Sequence, residues 1–333
     1  MAKYKNVGVF DLNTMPGGSK PFAMDAAGIA SGQAFLTSEL EKRDMLVRTP
    51  LTSFTYTRDV PIRVGGGWAE YVSAMNVGYG VTGGSGDGVI QAAAVDGIPM
   101  IQADFGKDLW KTHIVAAGTR VFWADMQRGN MTGRNFDTLL RDGLRMTYDK
   151  HMDENLYVGF SRFGSTGLLN NSGVTVNSAN ATWATATVAQ ILDDINTAIL
   201  DAWKAAGYDL DAIPNHILIP YEQYNLIATT MVSSLAEKTI LTFLKENNIA
   251  KNYGVDVFIG ATAFCDGAGA GGADRMVTYC NKERYAAMDE LVPMTRAMTT
   301  PNAERFSYDT TYAANVSEFE LFYPETVIYT DGI

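Results

Sequence analysis

The sequence predicts an α+β protein: one compact α/β region, flanked by extended segments with too little core to fold alone. Three observations carry that prediction. A long helix with a four-residue apolar stripe sits in the middle of the chain. Capped amphipathic helices alternating with buried strands follow it. Two long stretches, residues 68–105 and the segment past Glu283, read as glycine-rich or strand-rich without a hydrophobic centre of their own.

The bulk numbers frame this reading. A chain of 333 residues suits one large domain or two ordinary ones. A composition that is 47% hydrophobic and 19% charged is that of a folded protein. No apolar run approaches the roughly 18 residues that span a bilayer, and the opening "MAKYKNVGVF" lacks a signal peptide's apolar core. Cys265 and Cys280 are too few for a disulfide framework and suit a reducing compartment. The net charge of −11 argues against gripping phosphate backbones over a broad face, because that needs clustered Lys and Arg. Such a surface can still lie near nucleic acid. The acidity is uneven, with eleven acids against five bases between Ala181 and Cys280, which is −6 of the −11.

Residues 1–50 show no sustained period; "NTMPGGSKP" breaks the chain and a short helix is expected around Ala34–Arg43. "SFTYTRDVPIRV" alternates and reads as a strand. After "GGGW", residues from about Asp59 to Lys111 read as an extended β-hairpin or arm, since so long a glycine-rich loop is otherwise unusual. "KTHIVAAGTRVFWADMQ" reads as a strand running into a short helix. In the long helix, Phe136, Leu140, Leu144, Tyr148, Met152 and Leu156 recur every four residues, with Leu139 beside them. A strict four-residue stripe drifts about 40° per step around a helix of period 3.6, so this helix needs neighbours on more than one side. Asp137→Arg141 and Arg145→Asp149 are opposite-sign pairs four apart.

From Thr187 the pattern turns globular. "TVAQ" is a capping box, and Val188, Ile191, Leu192, Ile195, Ala198, Ile199, Ala202 and Trp203 fill one face before Gly207 ends the helix. "HILIP" reads as a buried strand, and Pro220 suits the first turn of a following helix. "SLAE" at Ser234–Glu237 reads as a second capping box opening a helix to about Asn248. "VDVFIG" and "RMVTYC" read as strands, and the chain past Glu283 is mostly strand.

Signatures of chemistry fail one by one. In "FCDGAGAGGAD", Gly267, Gly269 and Gly272 have G-x-G-x-x-G spacing, but a dinucleotide site needs a helix after the glycines to meet the phosphates. Another strand follows instead, so the run reads as a loop between two strands. No phosphate-binding G-x-x-x-x-G-K-[ST] occurs; "GGSGD" and "GFSRF" only approach a nucleophile elbow. His113, His151 and His216 are far apart, and the acids Asp153 and Glu154 beside His151 read as a solvated helix face. "DLDAIPN" lacks the glycine and closing Glu of a calcium loop. No catalytic, cofactor-binding or metal-ligating residue is expected, and no cofactor.

Three stretches resemble the major capsid proteins of tailed bacteriophages, the Hong Kong 97 type, a fold shared with encapsulin shells. They are the helix Gly133–Gly159 running into "FGSTGLLNN"; "ILDDINTAILDAWKAAG" followed by "HILIPYEQYNLI"; and "RMVTYCNKERYAAMDELVPM" through "SEFELFYPETVIYTDGI". Together they cover the chain from about residue 54 to its end. The resemblance implies an N-terminal arm (1–52), an extended loop over a neighbouring subunit (53–112), a peripheral domain with a long spine helix (113–185 and 285–333) and an apical α/β domain (186–284). The glycine run would be the apical loop toward the capsomer axis, and "LLNN" a turn locked against the sheet.

The function it implies is a non-enzymatic subunit assembling as hexamers and pentamers into an icosahedral head around double-stranded DNA, without sequence-specific contacts. The alternative is an encapsulin-like shell around cargo protein. A separate scaffolding protein, a portal and decoration proteins would be partners, and no membrane. The location would be the virion, with assembly in the host cytoplasm. Some relatives weld subunits by a Lys–Asn isopeptide bond from the extended loop. From Asp59 to Gly106 this chain has no lysine, only Arg63 as a base, so no such cross-link is expected. Only about 52 residues precede the loop and they lack heptads, so assembly is expected to rely on a separate scaffolding protein or on none.

Overall fold

The computed structural model describes residues 50, 52–82, 100–132, 136–233 and 236–333. The chain divides into two units, Met1–Leu51 and Thr52–Ile333, and the described fold is that of the second. "NTMPGGSKP", the helix expected at Ala34–Arg43 and "GGSGD" lie outside the described residues.

The first element corrects an expectation. "SFTYTRDVPIRV" is not one strand but a helical turn, α1 (Tyr56–Asp59), and a three-residue strand, β1 (Ile62–Val64). The amides of Thr55 and Tyr56 donate to Asp153 Oδ1 at 3.0 and 2.9 Å, so a carboxylate from a distant helix serves the start of the turn. The hairpin β2 (Tyr71–Thr82) and β3 (Met100–Phe122) follows, and β3 runs directly into α2 (Trp123–Thr132). The long helix is α3 (Phe136–Val158) and β4 is Thr175–Ser178.

Helix α4 (Val188–Ala205) starts at the expected capping box: Thr187 Oγ1 accepts the Gln190 amide and Gln190 Oε1 accepts the Thr187 amide at 2.8 Å. β5 (His216–Ile219) and α5 (Tyr221–Thr229) come next, with Pro220 as N-cap. The second expected capping box is corrected. Ala236–Thr239 forms strand β7, paired antiparallel with β6 (Met231–Ser233), while Ser234 and Leu235 lie outside the described residues. Helix α6 begins only at Ile240 and runs to Glu246, capped by Thr239 accepting the Thr242 amide. Ile240, its first residue, is wholly inaccessible. α7 (Ile249–Asn252), β8 (Phe258–Ala261), β9 (Arg275–Tyr279), β10 (Ala286–Asn302), β11 (Ser307–Ser317), β12 (Glu320–Leu321) and β13 (Val327–Asp331) complete the chain.

Two larger sheets organise these elements. One has the order β1-β10-β11-β3-β2, with β12 on β10; the other has the order β4-β13-β9-β5-β8. The second sheet draws strands from both sides of the boundaries expected at 185/186 and 284/285, because β4 and β13 pair beside β9. Its strands alternate between two cores. Ile217, Ile219, Met276 and Ile259 face the helical core with Ile195, Ile199 and Trp203 of α4. Leu218, Val277, Tyr279, Val327 and Tyr329 face the other core, with Met152, Leu156 and Tyr157 of α3. Sheets covered on both faces carry near-continuous apolar strands, which is why "HILI" and "RMVTY" read as buried.

The junction after α3 shows why its residues are what they are. The last carbonyls of the helix, Leu156 O and Tyr157 O, accept the amides of Leu168 (2.9 Å) and Leu169 (3.0 Å), and Val158 O accepts Asn170 Nδ2 (2.8 Å). The turn therefore caps the helix C-terminus, whose carbonyls otherwise lack partners. Gly159 (φ +83°) and Gly167 allow this approach: a Cβ on Gly167 would sit 2.5 Å from the Tyr157 carbonyl carbon, and one on Gly159 2.5 Å from Ser165 O. Tyr329 OH donates to Leu168 O at 2.6 Å, fastening the turn to β13.

Candidate assembly surface

The hairpin stands apart from everything just described. Its register pairs Ser73 with Leu109, Met75 with Lys107, Val77 with Phe105 and Tyr79 with Ala103. Directly opposed residues share a face and neighbours alternate. One face therefore carries Tyr71, Met75, Val77, Tyr79, Ile101, Phe105 and Leu109, and the other carries Ala74, Asn76, Gly78, Gly80, Asp104 and Asp108, with Val72 and Trp110 at its root. Beyond Thr112, where β3 leaves its pairing with β11, the two strands pair only with each other, and contacts with the rest of the described subunit are confined to the root, where Trp110 packs edge-on to Phe322 at 5.2 Å. Both faces are open: Met75, Tyr79, Ile101 and Phe105 are 66–78% exposed. An isolated two-stranded hairpin is marginally stable in water, and a contiguous apolar surface of this kind marks an interaction site.

The hairpin root is built differently. Gly65, Gly66 and Gly67 have φ of +126°, +117° and +70°, a conformation that disfavours any side chain. Asn315 Nδ2 donates to the carbonyls of Gly67 and Ala69, both at 3.1 Å. Arg63 of β1 reaches Asp289 at 2.5 Å and also pairs with Glu320, which is fully buried. Burial and the nearby Asp289 push the Glu320 carboxyl up to about 7, since one guanidinium cannot neutralise two acids.

Two further apolar areas are open. The first turns of α3 leave Leu139 and Leu140 exposed, although Leu144, Tyr148, Met152 and Leu156 of the same stripe are buried. At the far end of the first sheet, Phe122, Trp123, Phe306 and Tyr308 are 40–61% exposed, with Trp123 and Phe306 rings 5.1 Å apart.

Several interior charged groups are, by contrast, matched to one another. Arg275 donates to both Asp331 oxygens (2.7 and 2.8 Å) and to Leu169 O (2.6 Å), and lies over the Tyr329 ring at 4.4 Å. Burial alone would raise the Asp331 carboxyl, but the Arg275 hydrogen bonds and the Ala270 amide hold it below its ordinary range. Asp59, fully buried, pairs with Arg58 at 2.6 Å and accepts the Tyr157 hydroxyl. Beside it, burial pushes His216 down to about 4, against a smaller upward pull from Asp59.

The residues weighed for chemistry fall as follows. In the glycine run, Gly267 N donates to Asp274 Oδ1 and Ala270 N to Asp331 Oδ2, both at 3.0 Å, so the chain's own carboxylates occupy amides that would meet a phosphate. The run joins β8 to β9 with no helix behind it beyond short 3-10 turns. His113 is buried, 2.9 Å from Glu318 and stacked on Phe163 at 4.3 Å, and His151 is exposed. Asp153, beside it, is buried and turned toward α1. Asp211 of "DLDAIPN" takes Lys282 at 2.6 Å. Cys265 and Cys280 are free and buried, and burial pushes the Cys280 thiol up to about 11. Among the described residues no group of three or more potential ligands gathers to hold a metal, and no helix is long and apolar enough to cross a membrane.

Comparison with known proteins places this arrangement. No curated protein matches the sequence. The fold is that of the capsid of Myoviridae Phage XM1, with a TM-score of 0.75 at 17% identity over 89% of this chain and 98% of that one. The capsid of a native GTA particle gives a TM-score of 0.63 at 11% identity, covering 93% and 99%. Microbacterium phage Oxtober96 gives 0.62 at 13%, covering 90% and 97%. The family model for the major capsid protein matches residues 86–333, so the chain belongs to the major capsid protein family, as a structural, shell-forming subunit and not an enzyme.

Proposed function

We propose that this subunit closes into an icosahedral shell of hexamers and pentamers enclosing double-stranded DNA. The observation that carries the reading is the hairpin, whose apolar face is left exposed by the described residues and would be covered by a neighbouring copy. Burial of such surface contributes roughly 25 cal/mol per Å² removed from water. In this reading, residues 1–52 are an arm, 53–112 the loop laid over the neighbour, 113–185 with 285–333 the peripheral domain, and 186–284 the apical domain, with the glycine run toward the capsomer axis. The net charge of −11 fits a wall that contains DNA without gripping its sequence. A separate scaffolding protein, a portal and decoration proteins act with it, assembly takes place in the host cytoplasm, and the product is the virion.

Electron microscopy of the expressed chain tests this. Closed shells are expected, irregular in size where the separate scaffolding protein is left out, and particles purified from infected cells should be uniform and hold nuclease-protected DNA. Particles filled with a cargo enzyme instead would favour the encapsulin-like alternative, and a monomer that never associates would contradict both.

A further inference from the structure

The described hairpin residues carry four charges, and they are sorted by face. Lys107 and Lys111 stand opposite Met75 and Tyr71 on the apolar face, which has no acid among the described residues. Asp104 and Asp108 stand opposite Gly78 and Ala74 on the other face, which has no base. Lys107 is exposed and forms no ion pair or hydrogen bond among the described residues. Lys111, nearer the root, lies 6.0 Å from the Phe163 ring. The rest of the chain is strongly acidic, so two copies approaching one another repel unless a cationic surface leads.

We propose that the apolar, lysine-bearing face is the one applied to a second copy of this chain, and that Lys107 meets a carboxylate there. The glycine-rich acidic face remains turned away. This rests on the assembly function proposed above and adds which face is buried and by what charge it is recognised. The chain offers a surface of matching chemistry. A cleft of about 460 Å³ between α3 and β10 has Pro293, Met294 and Tyr312 on its walls beside Asp142, Asp149 and Glu290. Arg141 and Arg145 also line it, leaving one net negative charge, which favours an approaching lysine over the hairpin's aspartates. The occupant is the hairpin of another copy, because the hairpin's apolar face matches Pro293, Met294 and Tyr312 and Lys107 matches Asp142, while Asp149 and Glu290 already accept the Tyr56 and Tyr148 hydroxyls.

Two charge reversals three residues apart on β3 test the choice of face. Both positions are exposed, so neither change burdens the folded subunit. Lys107→Glu is expected to raise the protein concentration needed for shell formation by roughly tenfold or more, as reversing one member of a close interfacial pair does. Asp104→Lys, on the opposite face, is expected to change it less than about threefold, and Lys107→Arg to leave it near wild type. Equal effects at both positions, or a larger effect from Asp104→Lys, would overturn the proposal while leaving shell formation intact. Failure of the wild-type chain to form shells at all would contradict the assembly function and this inference with it.

Discussion

The five-stranded sheet, which mixes parallel and antiparallel pairs, and the antiparallel β2–β3 hairpin answer to opposite physical demands. The central strands of the sheet find a core on both sides: Leu218 faces one and Ile217 the other, and both are wholly inaccessible. Beyond its root the hairpin finds no core on either side among the described residues, so Met75 and Phe105 stay 73% and 66% exposed. The sheet holds the subunit together, and on the proposed function the hairpin is left for another copy. Substitutions in the two regions should therefore separate folding from assembly.

The largest effect is expected at the junction that seals the sheet to α3. Gly167→Ala places a Cβ against the Tyr157 peptide, where backbone rather than a flexible side chain must yield. We expect a loss of roughly 3–5 kcal/mol of subunit stability, measured by urea unfolding. A loss below about 1 kcal/mol would show that the turn is looser than its hydrogen bonds imply.

His216 should give a smaller, pH-dependent effect. Its folded-state value lies near 4, below the ordinary 6.5. The unfolded chain therefore binds the proton first, and this residue's contribution is complete above pH 6.5 and drains away as pH falls toward 4. His216→Phe should flatten the acid limb of stability against pH by on the order of 2 kcal/mol across that window. An unchanged limb would place the acid sensitivity of the core elsewhere.

The smallest effect on the folded subunit is expected in the hairpin. Phe105→Ser should shift subunit stability by less than about 0.5 kcal/mol, as surface changes do, yet block shell formation. If the same change unfolded the subunit, the division of labour between the two regions would fail.

The sequence made much of the sealed region legible and little of the open one's chemistry. The stripe from Leu144 to Leu156, the "TVAQ" cap and the strands "HILI" and "RMVTY" declare themselves because local period and burial agree. "SLAE" shows the limit. It has the same form as "TVAQ", but Ala236–Thr239 pairs with Met231–Ser233, and a four-residue signature carries no information about that pairing. The turn at Tyr56–Asp59 depends on Asp153, almost a hundred residues away, and the Arg275–Asp331 pair spans 56 positions. The sorting of hairpin charges was latent in "YVSAMNVGY" and "QADFGKDLWK", but it needs the register of Met75 against Lys107 before the two faces can be told apart.

Hydrogen exchange followed on both the isolated chain and assembled particles tests the central claim most directly. The account predicts that amides of Arg275–Tyr279 are protected in both states, while those of Tyr71–Thr82 and of β3 up to Lys111 exchange rapidly in the isolated chain and become protected only in particles. Hairpin amides already protected in the isolated chain, or still unprotected in closed shells, would contradict it.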